Sequence, residues 1–180
     1  MCLIVEHAHT LQKVATLEFE LAALKIEHAQ TLPIIIEPVF PTGFPIYDME
    51  WGESVTVLSD ANLVCMLKDG FKEDYKVYYT DEDSWRLIVP FLVSPADAYV
   101  NEGCDCGDYA KIATGRAALL AKLSGGCKEA WGMLDGEPHA FGLVFISRVK
   151  YKLFEPNAGF PWAGELFNDG EHGYKVKYWK

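Results

Sequence analysis

The spacing of apolar positions changes character several times along the chain. Over residues 9–30, Val14, Leu17, Leu21, Leu24 and His28 recur at alternating intervals of three and four, which predicts a helix. The stripe is heptad-like for two repeats, so it fits packing within the chain or a homo-oligomer formed through this helix. Residues 31–53 break the pattern with Pro33, Pro38, Pro41 and Pro45, and with Gly43 and Gly52 among them. Proline fixes φ and donates no N–H, so this stretch predicts a linker or wrapping arm, with an edge strand at 32–37 as the alternative. From 54 to 100, short apolar runs alternate with polar turns. Residues 55–58, 63–67 and 75–79 predict strands, separated by Asp60-Ala61-Asn62 and Asp69-Gly70. Thr80-Asp81-Glu82-Asp83-Ser84 then gathers acidic and capping residues ahead of Trp85-Arg86-Leu87-Ile88, a short helix stopped by Pro90. Residues 94–99 fit neither pattern.

The strongest helical period begins at Asp105. Cys106, Tyr109, Ala110, Ala113, Ala117, Leu120 and Ala121 fall on one face. Alanine dominates that face, so a neighbour can approach closely, and Gly125-Gly126 predicts the stop. Three strands follow in the pattern, at 128–134, 139–146 and 151–155. The first two are joined by the turn Asp135-Gly136-Glu137-Pro138, and the last two form an antiparallel hairpin through 147–150. The aromatic tail, with Trp162, Phe167, Tyr174, Tyr178 and Trp179, predicts a last strand at 174–178 covering the core. A carbohydrate or peptide platform is the rival reading of these aromatics. The domain division expected is 1–50, helix and proline-rich arm, and 51–180, the domain that carries the chemistry.

Composition narrows the partners. Of 180 residues, half are apolar and 13% aromatic, enough for a packed core, and the formal net charge is -10 with no basic run. Phosphate backbones need clustered Lys and Arg, so nucleic acid is excluded as an expected partner, as is an anionic membrane surface. No apolar run approaches the roughly 20 residues that cross a bilayer. The opening Met1–His7 stretch lacks the basic and long apolar regions of a secretory signal. Five cysteines at irregular spacing do not form a disulfide framework, so reduced thiols and a cytoplasmic location are expected.

Candidate chemistry begins at Cys106. Asp105 is a good N-cap, and Asp108 three positions later makes an approximate capping box. Cys106 then occupies the first helical position, where free N–H groups and the helix dipole favour a thiolate. The two aspartates oppose that effect. His139, opening an apolar strand among small neighbours, is the candidate base. The hairpin returns the chain so that Glu155 comes alongside His139 as the group that orients the imidazole, with Asn157 as the alternative. The Cys106 N–H is one candidate oxyanion donor, and Trp85 and Asn101 are candidates for the second. Cys104 is the rival nucleophile, and Cys2, Cys65 and Cys127 read as core or surface thiols.

The segment Cys106-Gly107-Asp108-Tyr109-Ala110 resembles the C-x-D-[YF]-A stretch that opens the nucleophile helix of bacterial transglutaminase-like cysteine proteinases. His139-Ala140-Phe141-Gly142-Leu143-Val144-Phe145 resembles their H-A-[WVF]-x-x-[VL] strand, and Phe154-Glu155-Pro156 their [LF]-D-P motif. The likeness covers roughly residues 85–160. Glu155 departs from it by standing where Asp is usual, and Gly107 where an acidic residue is common. The resemblance implies an α+β papain/transglutaminase-like fold, with the nucleophile helix packed on an antiparallel sheet. It also implies Cys106 as nucleophile, His139 as base and Glu155 as acidic orienter, acting by acyl transfer on amide or isopeptide bonds of a protein or peptide substrate. Neither hydrolysis nor transfer is singled out, and no cofactor is expected.

Two other readings stand beside it. Cys104, Cys106, Cys127 and His139 form a nominal Cys₃His zinc set, although the C-x-C pair is tighter than the usual C-x₂₋₄-C knuckle. His7, His9 and His28 read as solvated helix residues. In the second reading the chain is a non-catalytic assembly protein, such as a phage or bacterial structural accessory, that keeps the fold and uses its N-terminal helix and arm for contacts.

Overall fold

The structure, a computed structural model, describes residues 38–66, 75–98 and 104–180. The expected helix at 9–30, the edge strand at 32–37, the oligomerising contact, Asp69-Gly70, Asn101, Cys2 and the three N-terminal histidines all lie outside these. The chain divides into two units, Met1–Val39 and Phe40–Lys180. The fold below is that of the second.

Strand β1, Tyr47–Glu50, pairs antiparallel with β3, Lys76–Tyr79. Between them runs helix α1, Trp51–Asp60, and a two-residue strand β2, Val64–Cys65. The strand expected at 55–58 is therefore helix. Glu50 and Glu53 form a reciprocal capping box, with the Glu50 N–H donating to Glu53 at 2.8 Å. That cap, together with burial of Ser54 and Leu58 on one face, outweighs the β-propensity of Val55, Thr56 and Val57. Of the strand expected at 63–67, residues 63–66 yield β2, which pairs parallel with the C-terminal strand.

Helix α2, Glu82–Ile88, starts where the acidic run predicted, with Asp81 accepting from the Ser84 N–H at 2.8 Å. Pro90 lies just beyond the end of the α-helix at Ile88, as expected. It sits at the start of a 3₁₀ turn, Val89–Phe91, where a missing N–H costs nothing. Helix α3, Cys106–Ala121, starts at the expected N-cap Asp105. It stops at Lys122 rather than at Gly125-Gly126, with Lys122 in the left-handed region at φ 58° and its N–H bonded to the Ala117 carbonyl. Tyr109, Ala110, Ala113, Ala117 and Ala121 are buried as the period required, whereas Leu120 is exposed.

Five strands form a mixed sheet in the order β2-β7-β4-β5-β6, with β4 Cys127–Leu134, β5 Glu137–Ser147, β6 Lys150–Phe154 and β7 Tyr174–Trp179. The β4–β5 turn is two residues, Asp135 and Gly136, both at positive φ (50° and 94°). That backbone matches the twist of the flanking strands, and glycine at the second position adopts it without strain. One core packs Phe141, Leu143, Phe145, Leu153, Tyr174 and Trp179 with Met49, Leu58 and Val77. The other packs Ala113, Ala117 and Ala121 of α3 against Val144 and Phe154, with Trp85, Ile88 and Leu92 beneath them. The alanine face thus lets α3 lie close on β4 and β5, as the sequence implied.

Candidate active site

The N-terminus of α3 meets the beginning of β5. Asp105 Oδ1 accepts from the N–H groups of Gly107 at 2.9 Å and Asp108 at 3.3 Å, and Asp108 Oδ2 accepts from the Asp105 N–H at 3.4 Å. These caps satisfy donors that the first turn leaves open. Among the described residues the Cys106 N–H meets no acceptor. Asp108 also pairs with Lys111 at 3.0 Å, which turns its charge outward.

The His139 imidazole beside the Cys106 thiol is the largest cause that lowers the thiol pKa below the ordinary value. Partial burial works in the opposite direction. The Ala140 backbone N–H and the charge on the imidazole lower it further, and Asp105 raises it. The expected opposition of Asp105 is thus present but does not prevail.

His139 Nε2 lies 2.8 Å from Glu155 Oε2. A carboxylate only accepts, so Nε2 carries the proton and Nδ1 is left to face the sulfur. Burial pulls the imidazole pKa down, and the hydrogen bonds to Cys106 and Glu155, with their charges, overcome it. The net result is a rise from 6.5 to about 9. The ring is also walled by Phe160 at 5.4 Å, Tyr174 at 5.8 Å and Phe141 at 6.3 Å between centroids.

Glu155 reaches His139 because of the hairpin register. Gly142 pairs with Phe154, so continued pairing would set Glu155 opposite Phe141 and Asn157 opposite His139. Pairing ends at Phe154, but Glu155 stays on the face of His139 as a diagonal neighbour, close enough for its longer side chain. It is 1% exposed. Its Oε2 also accepts from the Tyr174 hydroxyl at 2.6 Å, and its Oε1 accepts from the Asn157 N–H at 2.9 Å. The Asn157 side chain is committed elsewhere, with its Oδ1 accepting from the Gly159 N–H at 2.9 Å.

Cys106 and His139 open onto a cleft of about 380 Å³, lined also by Ala96, Pro138, Asn157, Gly159 and Phe160. Cys104 is outside that lining. Trp85, a candidate oxyanion donor from sequence, is buried in the core and donates its Nε1–H to the Phe145 carbonyl at 2.8 Å. It is withdrawn from that role. Cys127 is buried beneath α3 beside Thr114, and burial pushes its thiol up to about 12. Among the described residues no group of three or more His, Cys, Asp or Glu side chains gathers where a metal could be held.

The glycine at 107 has a physical reason. A Cβ there would stand 2.7 Å from Trp131 Cη2, so the indole of β4 occupies the space a side chain needs. Gly142, by contrast, makes room not for the helix end but for Phe154, whose ring atom lies 2.0 Å from a would-be Cβ. Phe160 and Tyr174 are the members of the site that sequence reasoning missed. Tyr174 sat in an aromatic tail that read as core cover, and it is indeed buried there, whereas Phe160 drew no notice in the sequence. The Tyr174 hydroxyl, however, points at Glu155.

Helix α3 packed on a five-stranded mixed sheet makes this an α+β fold of the papain-like kind. A solved structure, the PSL1a-E64 complex, matches it with a TM-score of 0.50 and 18% sequence identity. The match covers 73% of this chain and 50% of that one, so the chain spans about half the length of the structure it resembles. At that identity the likeness speaks for the fold alone. No family model matches the chain, and no curated protein matches it.

Proposed function

We propose that this protein is a thiol-dependent hydrolase or acyl transferase acting on amide or isopeptide bonds of a peptide substrate. The observation that carries the reading is the convergence of Cys106 and His139 on one cleft, with the buried Glu155 bonded to the imidazole at 2.8 Å. A helix-start thiol with a lowered pKa beside an imidazole with a raised one is an ion pair ready for attack.

In this reading the Cys106 thiolate adds to the amide carbonyl and the C–N bond breaks. His139 gives its Nδ1 proton to the departing amine, leaving a thioester on Cys106 and a neutral imidazole. The imidazole then takes a proton from water, or from an acceptor amine, which attacks the thioester and releases the thiolate. Glu155 keeps the imidazole aligned and supports its positive charge. The free Cys106 N–H is one donor for the oxyanion. Glu155 in place of the usual Asp is accommodated because the residue leaves the strand before facing His139, so the extra methylene spans the diagonal.

The test is iodoacetamide alkylation against pH, read by peptide mass spectrometry, in the parent and in His139→Ala. Cys106 is expected to label with a midpoint well below the ~8.5 of a free thiol, and His139→Ala to return it to that value. E64, the ligand of the matching solved structure, is expected to protect Cys106 from the reagent. A Cys106 that titrates as a free thiol in both proteins refutes the proposal.

A further inference from the structure

Beyond Glu155 the hydrogen-bonded line continues through two aromatic residues. The Trp162 indole Nε1–H donates to the Tyr174 hydroxyl oxygen at 3.2 Å. An indole N–H cannot accept, so the phenol oxygen must be the acceptor in that bond. The phenol's own proton is then directed away from Trp162, toward Glu155 Oε2 at 2.6 Å. Tyr174 is fully buried, so water does not compete for that proton, and burial and the adjacent carboxylate both raise the phenol's pKa. Trp162 is itself held by a parallel stack on His172, with centroids 4.8 Å apart and an interplanar angle of 8°.

This arrangement bears on the rotamer of Glu155. Its Oε2 serves His139 and Tyr174 together, and its Oε1 serves the Asn157 N–H. The backbone donor fixes one oxygen. Among the described residues, Tyr174 fixes the other independently of the imidazole. We infer that Tyr174, oriented by Trp162, is a positioning residue that holds Glu155 Oε2 on His139 and thereby holds the imidazole on the Cys106 sulfur. The inference rests on the functional reading above, since it concerns how the same thiol is activated.

The test uses the full chain and the same alkylation profile, with Tyr174→Phe and Trp162→Phe beside the parent. Tyr174→Phe keeps the ring and its packing and removes only the donor. With Glu155 free to turn, the His139–Cys106 bond weakens, and the Cys106 midpoint is expected to rise by about half a pH unit or more. That corresponds to roughly a threefold loss of thiolate below the midpoint. Trp162→Phe is expected to shift it in the same direction by less, because the phenol can then turn its proton aside. A loss of packing without loss of positioning would lower the unfolding temperature and leave the midpoint in place. If the parent midpoint is already that of a free thiol, the functional reading itself fails. If the parent midpoint is depressed and the Tyr174→Phe profile superimposes on it, or shifts downward, the positioning role alone is refuted. Should Tyr174→Phe not fold, an unshifted Trp162→Phe profile refutes it instead.

Discussion

Replacing Glu155 by Gln removes a charge and an acceptor while keeping the shape, and the structure says what that costs. The carboxylate takes three donors, His139 Nε2–H at 2.8 Å, Tyr174 O–H at 2.6 Å and the Asn157 N–H at 2.9 Å. A carboxamide has one oxygen and one NH₂. Its best orientation turns the oxygen to His139 and Tyr174 and sets the NH₂ against the Asn157 N–H, leaving that buried donor unpaired. The unpaired donor costs about 1–3 kcal/mol of folding stability. For His139, a charge-assisted bond becomes a neutral one, a loss of about 1–1.5 kcal/mol that falls on the protonated imidazole alone. That is about one unit of pKa, so the His139 midpoint is expected to drop from about 9 to about 8 or lower. The assay is an imidazole ¹⁵N NMR titration, with the His139 resonance assigned by its absence in His139→Ala. A folded Glu155→Gln whose His139 titrates like the parent would refute the claim that Glu155 sustains the imidazolium.

Three further outcomes follow from the same geometry. Gly107→Ala drives a methyl to 2.7 Å from Trp131, and the resulting strain of about 1–3 kcal/mol exceeds the gain of at most about 1 kcal/mol in helix propensity. A chemical denaturation curve should therefore show net destabilisation. Trp85→Phe removes the bond to the Phe145 carbonyl and is expected to lower stability by about 1–3 kcal/mol while leaving the Cys106 alkylation midpoint unchanged, and a shifted midpoint would return Trp85 to the site. Stability against pH gives the third. The raised His139 contributes stability that is present below 6.5 and lost toward about 9, whereas the lowered Cys106 contributes stability present above 9.0 and lost as pH falls through its folded value. As pH rises from 6.5 toward 9 the His139 contribution falls while the Cys106 contribution grows, so the two slopes oppose each other, and chemical denaturation across that range should show parent stability declining less steeply than the raised imidazole alone would give.

The sequence was most legible where local chemistry and tertiary packing agree. Asp105 caps α3, the alanine face lies on the sheet, Asp135-Gly136 turns the hairpin, and the strand at 151–155 returns Glu155 to His139. It was least legible where a distant contact decides. Residues 55–58 carry strand-forming side chains, yet the Glu50–Glu53 box and a single buried face make them helix. Trp85 resembled a site residue because its position along the chain says nothing of the carbonyl waiting for it in the core. Tyr174 is the converse case. Burial and a hydrogen bond to the site are both properties of one side chain, and an aromatic period reveals only the first.

The place of β7 in the sheet sets an order of events during synthesis. This strand lies between β2 and β4, and it brings Tyr174 to Glu155 and Trp179 to the core. A chain still on the ribosome can form α3 and the β4–β5–β6 meander, because those contacts are close in sequence. It cannot close the core against α1, or fix Glu155 from its second side, until residues 174–179 have emerged. The hydroxyl that holds Glu155 is therefore supplied after the elements that carry Cys106, His139 and Glu155 itself.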